Sequence, residues 1–155
     1  MQKQKIHFAI TIGAPKKKVW DTMLEDSTFR EWTAVFNPSP TGSSWYEGEW
    51  KQGSTMRFLG AGENGRLDGM LSRIKEVRPH DFVSIEHIGV VQDGKDDLTS
   101  ELATQFAPAF ENYTFVDKDG ATEVRVDMDT VEEHREMFEQ SWPKALQKLK
   151  ELAEK

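Results

Sequence analysis

The chain carries four histidines, His7, His80, His87 and His134, and they are the first residues to test for chemistry. Imidazole changes charge near neutral pH and binds metals readily. None of the four has a partner at H-E-x-x-H or comparable ligand spacing, so no metal site is expected. His80 follows Pro79 in a turn, and His134 falls near the start of the last helix, where it is expected on the surface. His87 differs, because alternation puts Val83, Ile85, His87 and Gly89 on one strand face. If that face looks inward, His87 is a polar group in an apolar chamber; the alternative is an outer-face or neighbour-satisfied histidine. Glu111 shares a face with Tyr113 and Phe115, and Asp68 shares one with Met70 and Ile74. Either carboxylate could enter the same interior and act as an acid or base with a raised pKa, against a surface or ion-paired alternative. His87, Glu111 and Tyr113 are therefore the candidate catalytic residues. Asp127 and Asp129 alternate with Val126 and Met128 and are expected to face solvent.

Several chemistries lack their residues. There is no cysteine, hence no thiolate nucleophile, disulfide framework or zinc–cysteine site. No G-x-S-x-G elbow is present, and no serine has a recognisable base partner. Gly60-Ala61-Gly62-Glu63-Asn64-Gly65 matches G-x-G-x-x-G, but a strand follows where a dinucleotide site needs a helix. A hairpin loop is expected there, and no nucleotide cofactor.

The aromatic residues say more. Trp20, Trp32, Phe36, Trp45, Trp50, Phe58, Tyr113, Phe138 and Trp142 exceed the obvious needs of a small core, and Met23, Met56, Met70 and Met128 add adaptable apolar surface. A chamber lined this way, with a few polar groups, suits a hydrophobic small molecule. Trp32, Phe58, Met70, His87, Tyr113, Phe138 and Trp142 are the residues expected to line it. The alternative is a filled core that uses the same side chains.

These residues need elements to hold them. Thr130 and Glu133 have capping-box spacing, and Val131, Phe138, Trp142, Ala145, Leu146, Leu149 and Leu152 recur every three to four residues. A long C-terminal helix is predicted, kinked near Glu139–Trp142 by Pro143. Ile6, Phe8, Ile10 and Ile12 alternate as a first strand. Pro15 then suits a helix start, giving a helix over 16–25. A second short helix, capped by Asp26 or Ser27, carries Phe29 and Trp32. Asn37–Ser44 reads as a loop, followed by strands near 45–50, 54–59, 66–78 and 82–91, with turns at Gly53 and Asn64-Gly65. Residues 92–108 break the pattern; Leu98–Phe106 is expected as a short helix or a mobile flap, and Gln92–Pro108 either covers the cavity mouth or is a solvated, inert loop. A hairpin over 110–117 and 122–130 completes seven strands, antiparallel because their connections are short.

Composition bounds the function. The 155 residues fit one domain with a core. A net charge of −7 argues against nucleic acid and anionic membrane surfaces as partners. No apolar run approaches the roughly 20 residues that span a bilayer. The N-terminus has lysines but no apolar stretch after them, so no secretory signal and a cytoplasmic location are expected.

The order of elements, with Ala14-Pro15, Val19-Trp20 and Trp32 in the helices, resembles the START-like (SRPBCC) superfamily. Gly48, Gly53, Gly69, Ile74, Val77, Pro79, the Phe110–Phe115 segment, Trp142 and the leucines after it narrow the resemblance. Within that superfamily the chain is similar to the family of homologues of the activator of heat-shock protein 90 ATPase. The resemblance covers nearly the whole chain as a single START-like domain. It implies an α+β helix-grip fold, a curved antiparallel sheet around the C-terminal helix with an apolar cavity between them. Members of the superfamily bind hydrophobic molecules, and some catalyse cyclisation or hydrolysis. The leading expectation is a binding protein for a small hydrophobic ligand. An enzyme using the cavity for acid–base chemistry and a chaperone-linked interaction module are the alternatives; a separate partner-binding domain like that of the eukaryotic activator is not expected within these 155 residues.

Overall fold

The computed structural model describes residues 3–37, 44–61 and 65–155. Strand β1 (Lys3–Ile12) is followed by helices α1 (Lys16–Leu24) and α2 (Asp26–Trp32) and a 3-10 turn (Thr33–Phe36). Strands β2 (Ser44–Glu47), β3 (Thr55–Ala61), β4 (Leu67–Arg78), β5 (Phe82–Gln92) and β6 (Lys95–Asp97) come next. Helix α3 (Glu101–Phe106), strands β7 (Ala109–Lys118) and β8 (Ala121–Val131) and helix α4 (Glu132–Ala153) complete the chain. The sheet is antiparallel throughout, in the order β1-β8-β7-β5-β4-β3-β2, with β6 also paired to β5. It has eight strands rather than the expected seven, because Lys95–Asp97 turns back onto β5. This is the α+β helix-grip arrangement the sequence implies.

Two local expectations need correction. No Thr130 capping box forms: Thr130 stays in β8, and α4 starts at Glu132 with no side-chain cap. Ladder pairing of Thr130 with Gln4 holds it in the sheet. Helix α2 also lacks a side-chain cap; Asp26 is its first residue and pairs instead with Arg30. Of the two alternatives expected for Leu98–Phe106 the short helix forms: α3 is capped by Ser100 and packs on β5. The turn expected at Asn64-Gly65 and most of the loop after Asn37 lie outside the described residues. The strands flanking the first, β3 and β4, pair directly as a hairpin requires.

Pairing across the sheet sets the inward rows. Met56, Ser72, His87 and Ala109 are successive partners on β3, β4, β5 and β7. Ile74, Ile85, Glu111, Met128 and Ile6 form the next row, and Val77, Val83, Tyr113, Val126 and Phe8 the one after. Two register shifts on the β4–β5 ladder shape this pattern; one, between Ile74 and Glu76, leaves Lys75 unpaired on β4. The other, between Leu71 and Ser72 on β4, leaves Ile88 unpaired on β5. Gly89 therefore pairs with Leu71, away from the face that carries Val83, Ile85 and His87. Leu59, Leu71 and Val91 make a small second cluster on the opposite side of the sheet. A Cβ on Gly69 would stand 1.8 Å from the Phe58 carbonyl oxygen, so only glycine lets β3 and β4 approach there.

Helix α4 runs unbroken through Pro143 and lies on β1, β8, α1, α2 and the 3-10 turn. Its buried residues are Trp142, Ala145, Leu146, Leu149, Leu152 and Ala153, all at or beyond its midpoint. From Glu132 to Ser141 no side chain is fully buried, and Met137 is 49% exposed. The polar first half thus stands over the sheet without filling the space beneath it.

Candidate functional site

That space is a cavity of about 750 Å³. The sheet supplies Phe58 and Met70 from β3 and β4, His87 from β5, Glu111 and Tyr113 from β7, and Met128 from β8. Phe29 and Trp32 of α2, Phe36 of the 3-10 turn, and His134, Phe138 and Trp142 of α4 close the other side. All seven residues read from sequence as lining, Trp32, Phe58, Met70, His87, Tyr113, Phe138 and Trp142, border this one cavity. The three candidate acid–base residues border it as well.

The aromatic walls fall into two groups. Around Phe29, the rings of Trp32, Tyr46, Trp50 and Phe58 lie at centroid distances of 5.4, 5.0, 6.5 and 6.0 Å. Their polar atoms are all engaged. Trp32 Nε1 donates to the Met23 carbonyl at 2.9 Å. Tyr46 OH and Trp50 Nε1 both donate to the Leu24 carbonyl, at 2.6 and 3.0 Å. These bonds satisfy carbonyls that the end of α1 leaves without helical partners. The second group surrounds Trp142, with Phe36 at 5.0 Å, Trp32 at 5.8 Å, and Phe8 and Tyr113 each at 6.1 Å. Trp142 is 2% exposed, yet its Nε1 has no hydrogen-bond partner among the described residues.

A polar chain crosses the sheet wall of the cavity. Ser72 Oγ lies 2.7 Å from His87 Nδ1, and His87 Nε2 lies 3.2 Å from Glu111 Oε1. The Tyr113 hydroxyl donates to Glu111 Oε2. A carboxylate only accepts, so His87 Nε2 carries the proton toward Glu111; in the neutral imidazole Nδ1 then accepts from the Ser72 hydroxyl. Burial, then the Glu111 charge and hydrogen bond, push the Tyr113 phenol well above its usual pKa, so it stays a donor. The order Ser72–His87–Glu111 has the residue types of a hydrolase triad, but the ring nitrogens are exchanged: the serine is on Nδ1 and the carboxylate on Nε2. Ser72 is also fully buried and does not line the cavity, so a substrate has no access to its hydroxyl.

Two acidic residues stand at the border of the cavity with outward partners. Asp68 accepts from Arg66 and from the Asp93 backbone, and the backbone bond is the main cause of its lowered pKa. Asp129, expected in solvent, is only 13% exposed; it pairs with Lys5 and accepts from the Phe110 backbone at 2.9 Å. No lysine or arginine lines the cavity among the described residues. Nor, among them, does any group of three or more histidines and carboxylates stand close enough to hold a metal ion.

Residues 13–154 match the model of the family described as Activator of Hsp90 ATPase homolog 1-like protein. The chain belongs to that family. Solved structures with the same fold include a protein from Arthrobacter aurescens (TM-score 0.73, 15% identity, covering 96% of this chain and 85% of that one). Others come from Nitrosomonas europaea (0.72, 14%, 96% and 92%) and Chromobacterium violaceum (0.70, 16%, 97% and 97%). At these identities the likeness shows the START-like fold of the activator-homologue family, and nothing about ligand. No curated protein matches the chain. No helix among the described residues is long and apolar enough to cross a membrane.

Within this activator-homologue fold, sequence reasoning missed two participants. Ser72 was not seen to have a base partner; strand pairing places it opposite His87, a relation fixed by the register shifts at Lys75 and Ile88 and invisible in local spacing. His134, expected on the surface, is partly buried and lines the cavity. It lies four residues before Phe138 and eight before Trp142, so helical spacing already carried the signal.

Proposed function

We propose that this protein binds a small hydrophobic molecule in the cavity between the sheet and α4. The observation that carries the reading is the cavity itself: about 750 Å³ walled by Phe, Trp and Met side chains, with a few polar groups on one wall. That volume lies within the range of small-molecule sites. Membership of a START-like family supports the same reading. Native mass spectrometry of gently purified protein tests it. An added mass that denaturation releases is expected, and Met70→Trp, which fills the cavity, is expected to remove it. A clean apo mass, together with no uptake of apolar probes, counts against the reading.

One observation favours a second reading, acid–base catalysis in the same chamber. His87 and Glu111 are in contact at 3.2 Å on the cavity wall, with Tyr113 bonded to the same carboxylate. Proton transfer needs groups that reach the substrate directly or through one water. A bell-shaped pH–rate profile lost in His87→Ala, with binding retained, supports catalysis. Unchanged turnover in that variant removes His87 from any mechanism.

A further inference from the structure

Glu111 stands on the cavity wall with no lysine or arginine to answer its charge among the described lining residues. It sits in the inward row between Ile85 and Met128, which are 1% and 6% exposed. Its own side chain is 17% exposed and borders the cavity, so the exposed part faces that space. His87 Nε2 and the Tyr113 hydroxyl hydrogen-bond to it, but a neutral imidazole and a phenol bring no charge. The other two carboxylates at the border differ in this respect: Asp68 has Arg66, and Asp129 has Lys5. A carboxylate withdrawn from water is costly unless an opposite charge accompanies it. The molecule held in the cavity can supply that charge. The aromatic walls favour the same sign. Phe58, whose ring centroid lies 6.2 Å from that of His87, borders the cavity together with Trp32, Phe36 and Phe138. The faces of such rings carry negative potential and attract cations.

We infer that the cavity takes an apolar organic cation, an amine whose ammonium group stands beside Glu111, and turns away apolar carboxylates. The inference rests on the proposed binding function and adds the charge of the ligand to it. Glu111 is the residue that sets this selectivity. Charges act strongly across a chamber walled by apolar side chains, so a ligand carboxylate near Glu111 is opposed and an ammonium is held.

Three probes of nearly one shape separate the possibilities: 2-naphthylmethylamine, 2-naphthalenemethanol and 2-naphthoate. Their affinities are measured calorimetrically near neutral pH, where the first is a cation, the second neutral and the third an anion. The wild-type protein is expected to bind the amine tightest and the carboxylate weakest, a ranking that needs no variant and so survives one that fails to fold. Glu111→Gln keeps the shape of the side chain and removes its charge. It is expected to weaken the amine about tenfold or more, to leave the alcohol within about threefold and to narrow the gap between amine and carboxylate. Tighter wild-type binding of the alcohol or the carboxylate than of the amine overturns the inference and leaves the cavity reading standing. Equal losses of amine and alcohol in Glu111→Gln, or no loss of either, do the same. If none of the three probes binds, the cavity reading falls and takes this inference with it.

Discussion

The two halves of α4 face the same sheet and do opposite things. Beyond its midpoint the helix drives Ala145, Leu146, Leu149 and Leu152 into a continuous core with Val19, Met23, Ile12 and Val124. Before it, His134 and Phe138 only border a cavity, and nearby positions such as Met137 are open to solvent. The closed half buries enough leucine surface to anchor the helix without help, which leaves the open half free of the requirement to fill space. A void beside a packed core is costly when the surrounding structure must collapse onto it. Here the helix is held elsewhere.

That division can be broken experimentally. Leu149→Ala in the closed half is expected to destabilise the protein by about 2–5 kcal/mol in urea unfolding. Phe138→Ala in the open half is expected to cost less than half as much, because the ring is partly exposed and already borders empty space. Equal costs would erase the distinction between the halves. Met70→Trp is a sharper instrument. Overpacking a filled core costs about 1–3 kcal/mol, whereas a Trp that enters existing space is expected to cost less than about 1 kcal/mol while removing the bound molecule. A larger loss of stability with ligand retained would show the region to be packed.

Smaller effects follow from the titrating groups. Tyr113 has a raised pKa, so above pH 10 the unfolded chain releases a phenol proton that the native protein keeps. Stability is therefore expected to fall as pH rises past 10, and the fall should be shallower in Tyr113→Phe, as followed by denaturant midpoints. Asp97, outside both halves of α4, provides the opposite case. Bonds from the Ser100, Thr99 and Gln92 donors hold its pKa down to about 2. Its contribution is present above its ordinary value of 3.8 and is lost as pH falls toward 2. The difference in stability between wild type and Asp97→Ala should close over that window. A gap that stays constant from pH 5 to pH 2 would mean that Asp97 acts through packing and not through its charge.

The closed half was the more legible part in sequence. The spacing of Ala145, Leu146, Leu149 and Leu152 reports a buried stripe directly, because one helix face and one periodicity determine it. The open half was legible only as a set of types: Trp32, Phe58, Met70, Tyr113, Phe138 and Trp142 read the same whether they meet each other or surround a void. Contacts that depend on strand register were not legible at all. The Ser72–His87 pair lies between two register shifts, at Lys75 and at Ile88, and alternation predicted Gly89 on a face it does not occupy. Asp129 shows a related limit. Its outward phase was correct, but the Phe110 backbone and Lys5 enclose a position that alternation alone assigns to solvent.

The three rings that donate to the end of α1 bear on how freely the walls could be redesigned. Trp32, Tyr46 and Trp50 hold the Met23 and Leu24 carbonyls, and Trp32 also borders the cavity. Altering Trp32 to change ligand size would simultaneously untie a helix terminus, so that wall is constrained by architecture before any ligand is considered. Phe36, Phe58 and Phe138 have no polar atom and no such second duty. Any deliberate retuning of this chamber should therefore concentrate at those three phenylalanines and spare Trp32.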